Sequence, residues 1–411
     1  MLKANLSQYS ILIYYSYFYH MLRYLSADYI FPVSSDPLKD GIVVLNESRE
    51  IIDLLDPKRS PAISGAIEHY HGIIVPGFIN AHCHLELSHL QGKIPKGTGL
   101  IPFLKAVISQ RTADENEVLA AMKINDQRMF DNGIAAVGDI SNNHLSKSIK
   151  RSSKIYYHTF VELLGFDPVK AEIVFNKALE LKSCFAPLAA SLVPHAPYSV
   201  SERLFSLLRE YSESHENLCS MHNQESRAET VFFENKSGDF LDFYKMLSLN
   251  LQFFEAKFQS SIQSVLPLFS AKQKTLLVHN TYTSLEDLAA VSASGNDIYW
   301  CFCPNANRYI EGRLPEIDQF LTDDCKITVG TDSLASNDKL CILSELKLIK
   351  AYFPELPFAQ TIRWATRNGA EFFGIDKRFG SIEKGKTPGL NLIENVNGTE
   401  LTSTSTIKRL I

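Results

Sequence analysis

Eight strand-like apolar runs that alternate with helical patterns, flanked by β-like segments at both ends, predict an α/β protein. The expected architecture is a (β/α)8 TIM-type barrel with a small β-sandwich domain formed by the N- and C-terminal segments. Length agrees: 411 residues exceed the roughly 250 of a typical barrel and leave an accessory domain. The third observation is that polar residues collect just after the strand-like runs, where a parallel barrel gathers its reactive groups.

The elements follow in order. Residues 1–20 form an extension whose run Ser10 to Tyr19 is apolar and aromatic, too short to span a bilayer and without a small-residue cleavage site. A secretory signal is the competing reading. The preferred one takes Met21 as the start and leaves the extension untranslated, because Met21-Leu22-Arg23-Tyr24 leads directly into strand patterning. Residues 21–72 read as the first part of the sandwich, with strands at Tyr29–Val33, Gly41–Leu45 and Glu50–Leu54 between Asp, Pro, Asn and Gly punctuation. The barrel is placed at 73–375. Its strands begin at Ile73 and continue at Gly133–Asp139, Ile155–Leu163, Ala186–Val193, Leu218–His222, Thr275–His279, Ile298–Phe302 and Ile327–Gly330. Helical patterns at Glu115–Phe130, Ser201–Ser214, Ser284–Ser292 and Thr361–Phe373 lie between or after them. Residues 376–411 return to strand character at Gly380–Ile382, Leu390–Ile393 and Thr406–Ile411 and complete the N-terminal sheet.

Composition narrows the function. Apolar content of 45 % and charged content of 21 % are those of a soluble globular chain. A net charge of -5 gives no electrostatic footprint for nucleic acid, and no run is long enough for a membrane span. The seven cysteines are odd in number and contain no CxxC pair, which points to a reduced, cytoplasmic setting.

The most informative local feature is His82-Cys83-His84, directly after the apolar run Ile73–Ile79. Strand side chains alternate faces, so both imidazoles project to one side, about 7 Å apart along the strand. Two imidazoles at the end of a buried strand begin a metal site or are two satisfied interior histidines. Further polar residues decide between these: His195 follows strand four, His222 and Glu225 follow strand five, His279 ends strand six, and Asp332 follows strand eight. Asp332 also fits as an N-cap. Five of the twelve histidines thus sit at strand ends; His20, His69, His71, His89, His144, His158 and His215 are read as structural or surface residues.

The ordered motifs PGFINAHCH (76–84), HAPYS (195–199), HNQE (222–225), LVHN (277–280), CPNAN (303–307) and GTDS (330–333) resemble the amidohydrolase superfamily, in its branch of mononuclear heterocycle deaminases and chlorohydrolases. The resemblance runs from about residue 22 to the C-terminus and includes Gly380–Lys386, where that family's chain re-enters its sandwich. It implies that His82, His84, His222 and Asp332 hold one divalent metal, Zn²⁺ by donor type, with Fe²⁺ also compatible. Glu225 would carry protons between water and leaving group, and His279 would hold the attacking water and the developing oxyanion, with Asp332 beside them. A two-metal relative would place a Lys at the end of strand four; Ala189–Pro194 contains none, which favours one metal.

Glu86 and Glu229, by the same resemblance, and His195 and Asn307, by their places after strands four and seven, are candidate substrate contacts, each weighed against a structural or surface role. The aromatic-rich stretch 226–273, from Phe232 to Phe258, reads as a helical insertion or as an apolar lid. Two departures from the family pattern stand out. Ala306 replaces a Ser near the pocket, and Thr387-Pro388-Gly389-Leu390 replaces Ala-Asp-Leu in the sandwich. The implied activity is hydrolytic deamination of an aminated N-heterocycle, purine nucleoside-like, with aminodeoxyfutalosine a candidate. A chlorohydrolase or cyclic-amide hydrolase on the same site is the alternative, and a non-catalytic binding protein on a retired barrel a second. The expected partner is a small heterocyclic substrate, not nucleic acid or membrane; a homodimer is left open.

Overall fold

The computed structural model describes residues 22–59, 65–256, 259–322 and 324–411. The expectations for residues 1–20, for His20, for the start at Met21 and for Phe258 lie outside the described residues. The chain divides into two compact units, one from the segment ending at Phe78 together with Lys350–Ile411, the other Ile79–Ile349.

The first unit is a mixed sheet. Its N-terminal strands are β1 (Arg23–Ile30), β2 (Leu38–Lys39), β3 (Ile42–Leu45), β4 (Ile51–Leu55) and β5 (Ile67–Pro76). In β3 the alternation of a pleated strand sends Val43 and Leu45 into a core with Leu25, Ile30, Ile74 and Leu392, while Ile42 and Val44 pack on Tyr24 across the other face. All four β3 residues are therefore buried.

The apolar run Ile73–Ile79, read from sequence as one strand, is cut in two. β5 ends at Pro76, which has no N–H to extend a ladder, and Gly77 turns the chain so that β6 (Phe78–Cys83) starts the second unit's sheet. Seven further strands follow: β7 (Ile134–Ser141), β8 (Tyr156–Leu163), β9 (Ala189–Pro194), β10 (Cys219–Asn223), β11 (Lys274–His279), β12 (Asp297–Phe302) and β13 (Lys326–Val329). They form two parallel four-stranded sheets, β6-β7-β8-β9 and β10-β11-β12-β13. The sheets meet at both edges. Cys83 bridges Asp332, with Thr331 and Asp332 N–H groups donating to His82 O at 3.0 and 3.1 Å, and His222 N donates to His195 O at 2.9 Å. Strands buried on both faces read as continuous apolar runs, which is why all eight were visible in the sequence.

Helices fill the connections. Ser201 caps the helix Glu202–Ser214, Ser226 caps Arg227–Asn235, and Ser284 with Asp287 forms a capping box on Leu285–Ser294. The pattern Thr361–Phe373 is two helices, Phe358–Trp364 and Arg367–Phe373. Thr366 between them turns its hydroxyl back onto Ile362 O at 2.5 Å and leaves helical backbone at φ -138°.

Both of these helices belong to the first unit, whose sheet is completed by β14 (Leu390–Glu394) and β15 (Thr406–Arg409) in the order β15-β14-β5-β1-β3-β4 with β2 on β1. Gly380–Ile382 is not a strand: Gly380 takes φ +86°, and one bond from Ile382 N to Pro32 O ties the segment down. No described helix is long and apolar enough to cross a membrane.

Candidate active site

The C-terminal strand ends of the second unit bring together residues far apart in sequence. His82 lies in β6 and His84 one residue beyond it; His222 lies in β10, and Asp332 follows β13. Their ring and carboxylate atoms converge. His84 Nε2 is 3.1 Å from His82 Nε2 and 3.2 Å from His222 Nε2, and Asp332 Oδ1 is 3.6 Å from His82 Nε2 and 3.4 Å from His84 Nε2. All four residues are buried.

This donor set fits a cation. His222 Nδ1 sits 2.8 Å from His195 O, and a carbonyl only accepts, so Nδ1 carries the hydrogen and Nε2 presents its lone pair to the cluster. Burial, reinforced by the neighbouring imidazoles, holds His222 well below the usual imidazole range; burial also takes His84 down to about 3. Burial works against Asp332, yet its bond to His82 and the charges of His84 and His279 hold its carboxyl well below the ordinary value. A tetrahedral site with metal–nitrogen distances near 2.0–2.1 Å has ligand–ligand edges of about 3.3 Å, and the edges given above bracket that figure. Asp332 adopts φ +56° and its Oδ2 accepts from Ser336. No described helix begins there, which removes the N-cap reading.

Glu225 is buried beside this cluster, its Oε1 3.6 Å from His279 Nε2. Burial first, then the charges of Asp332 and Glu229, push its carboxyl well above the ordinary range. His279 has φ +79°, a strained backbone that turns its ring inward from the strand end. Its Nδ1 donates to Asn307 Oδ1 at 2.9 Å, while Asn307 Nδ2 donates to His279 O at 3.1 Å and Thr281 Oγ1 at 3.0 Å. His279 Nε2 therefore faces Glu225 as a lone pair, and burial lowers the imidazole to about 4.

A cavity of about 380 Å³ opens on these groups. His84, His195, His222, Glu225, His279 and Asp332 line its polar end; Leu100, Phe103, Leu104, Val107, Leu247 and Leu249 line an apolar wall. His195 is in place, its ring 4.7 Å from that of His222 and its Nδ1 2.7 Å from Ser199 Oγ. Within 226–273, Phe243 and Tyr244 reach the cavity, while Phe232, Phe233 and Phe240 are core beneath it.

Three expected substrate contacts, Glu86, Glu229 and Asn307, are not among the residues that line this cavity. Asn307 is spent on His279. Glu229 is fully buried and accepts from the N–H groups of Gln224 and Glu225, both at 3.1 Å, holding the turn that aims Glu225. Glu86 accepts from Arg111 at 3.2 Å and from Asn142 N and Asn143 Nδ2 at 3.0 Å. Each carboxylate or amide points into protein because hydrogen-bond partners lie within its reach, a fact no local pattern carries.

The structure adds groups that the sequence reading did not single out. Glu162, at the end of β8, lines the cavity 3.8 Å from His222 Nδ1, and burial raises its carboxyl to about 7. Asn142 joins Glu162 to Arg111, with bonds of 3.0 Å on each side. Asp139 in β7 accepts from Leu85 N at 2.7 Å and pairs with buried Lys150 at 2.6 Å, fixing the turn that carries His84. The strand-end rule that picked out His222 also covers Glu162 and Asp139; Arg111 follows a helix and carries no such signal.

With this geometry in place, comparison with known proteins is informative. The model of the amidohydrolase family matches residues 73–409. This chain belongs to the amidohydrolase family. Among similar proteins, an adenosine deaminase of Helicobacter pylori is 28 % identical over 330 residues, 78 % of this chain and 79 % of the relative. An aminodeoxyfutalosine deaminase of Nitratiruptor is 27 % identical over 378 residues, 88 % and 89 % of the two chains. A crystal structure of Helicobacter pylori aminofutalosine deaminase in complex with methylthio-coformycin superposes with a TM-score of 0.75 at 25 % identity, covering 92 % of this amidohydrolase and 93 % of that chain.

Proposed function

We propose that this amidohydrolase is a hydrolytic deaminase of an aminated, purine nucleoside-like heterocycle, with aminodeoxyfutalosine and adenosine-type compounds as candidate substrates. The observation that carries the reading is the convergence of three imidazoles and one carboxylate with the buried Glu225 beside them. His82, His84, His222 and Asp332 would hold one divalent cation, Zn²⁺ by donor type. When bound there, such a cation supplies Lewis-acid activation of water near neutral pH.

The chain's own residues do the rest. Glu225 takes a proton from the attacking water at its carboxylate and returns it to the departing amine, so that water and the amino heterocycle become the oxo heterocycle and ammonia. His279 Nε2 accepts a hydrogen bond from that water and orients it. Asn307 keeps the hydrogen on Nδ1, which leaves Nε2 free to accept. His195 and Glu162 offer polar contacts to the heterocycle, and the wall from Leu100 to Val107 excludes water from the rest of the molecule. We infer further that the eight parallel strands close as a (β/α)8 barrel, a reading supported by the contacts at both sheet edges, and that the terminal strands are organised as a β-sandwich.

Ammonia release is measured across adenosine, 5′-deoxyadenosine, aminodeoxyfutalosine and a chlorotriazine. The expected result is ammonia from at least one nucleoside, lost on Glu225→Gln while bound metal is retained. Chloride release without ammonia from any nucleoside overturns deamination in favour of a chlorohydrolase.

A further inference from the structure

His69 and His71 have no part in the site above, yet they are built into a second group. They occupy alternate positions of β5, so both rings leave the same face of the strand, with centroids 5.6 Å apart. Asp28 lies opposite them on β1. The two strands are in register at Ala27 with Tyr70 and again at Tyr29 with Ile73, so Asp28 alone faces both His71 and Gly72 in a β-bulge. Gly72 makes the bulge feasible: it adopts φ +128°, and a Cβ there would lie 2.2 Å from Ile393 O. Its N–H donates to Asp28 Oδ2 at 2.7 Å, which fixes the carboxylate and turns Oδ1 toward the imidazoles. Asp28 Oδ1 is then 3.5 Å from His71 Nδ1 and 3.8 Å from His69 Nε2.

We propose that Asp28, His69 and His71 form a second binding site for a divalent transition metal, separate from the hydrolytic centre. The three ligand atoms lie within 4.8 Å of one another, and the Asp28 edges of 3.5 and 3.8 Å are near the edge of about 3.3 Å set by a tetrahedral zinc site. A plain ion pair explains the arrangement poorly: one carboxylate oxygen serves two imidazoles, and pairs this exposed contribute little. The His71 side chain is 92 % exposed, so an ion enters without opening the fold and keeps a solvent-facing coordination position. Two imidazoles and one carboxylate select zinc, nickel or copper over calcium or magnesium.

The test uses the full chain, equilibrated with ZnCl2, freed of loose metal and assayed for zinc per chain, with affinity read by competition against a chromophoric chelator. Wild type binds about one more zinc per chain than His69→Gln/His71→Gln, and that extra ion is at least about tenfold weaker in His71→Gln alone. His82→Ala/His84→Ala keeps the extra ion, which separates this site from the hydrolytic one. Equal zinc content and affinity in wild type and both β5 variants overturns the proposal. Ammonia release by the β5 variants is expected to match wild type, because none of the three residues touches the cavity.

Discussion

Replacing Asn307 tests how His279 is held. Asn307 is 1 % exposed and makes three bonds to His279 and Thr281. Asn307→Leu keeps the branching and the number of heavy atoms and removes every polar contact of the side chain. It leaves the buried His279 Nδ1–H and carbonyl unpaired, at about 1–3 kcal/mol each. Some of that cost is relieved if the ring hydrogen moves to Nε2, which destroys the acceptor facing Glu225. We expect kcat to fall about 100-fold, equivalent to about 2.7 kcal/mol, with KM nearly unchanged. Asn307→Asp separates tautomer from charge. Burial depresses His279 to about 4, and the Asn307 bond already works in the opposite direction. An ionised Asp at that position favours the imidazolium and raises the pKa further. Because the proposed role needs the neutral ring, the acid limb of kcat/KM moves to higher pH in this variant. Steady-state ammonia release from pH 4.5 to 8.5, with bound metal counted, decides the matter. An Asn307→Leu enzyme within twofold of wild-type kcat, together with an unmoved acid limb in Asn307→Asp, refutes the reasoning.

Three further outcomes are expected. Dialysis against a strong chelator abolishes ammonia release and lowers the thermal midpoint, and ZnCl2 restores both; activity that survives verified metal removal rejects the four-ligand centre. His158, buried against Ser191 Oγ at 2.9 Å, is lowered from 6.5 to about 3 by burial. The unfolded chain protonates it below pH 6.5 while the folded chain does not, so its contribution is present above that pH and is lost as pH falls toward about 3. In urea titrations between pH 4 and 6 the stability of His158→Gln therefore falls less steeply than wild type, by up to about 1.4 kcal/mol per pH unit. Phe232 is fully buried and stacks on Phe254 at 4.6 Å, in the cluster that carries Phe243 and Tyr244 at the cavity wall. Phe232→Ala is expected to cost about 3–5 kcal/mol in denaturant unfolding and to raise KM more than it lowers kcat.

Much of the site was legible because barrel chemistry is tied to strand ends. An apolar run followed by His, Glu or Asp is a local pattern, and His82, His84, His195, His222, Glu225, His279 and Asp332 all lie where that pattern put them. Strand existence was equally legible, since buried parallel strands are apolar on both faces. Boundaries were less so. Pro76-Gly77 divides a run that hydrophobicity alone joins, and Thr366 breaks a helix whose periodicity continues through it. Side-chain direction was illegible. Glu229 and Glu225 are both acidic residues shortly after His222, yet one points into the cavity and the other back onto two amides of its own turn. Spacing does not distinguish them; the left-handed Gln224 at φ +46° does.

From sequence order alone came the alternation of strands and helices, because periodicity is a property of short segments, and the resemblance of ordered motifs to a family, which implied the ligand atoms available to a cation. Folding in three dimensions decided which carboxylates face the cavity, which tautomers His222 and His279 hold, and that Asp28 meets two imidazoles across a bulge. Those outcomes depend on hydrogen-bond partners distant in the chain, among them Asn307 for His279 and His195 O for His222, and no local pattern encodes where such partners lie.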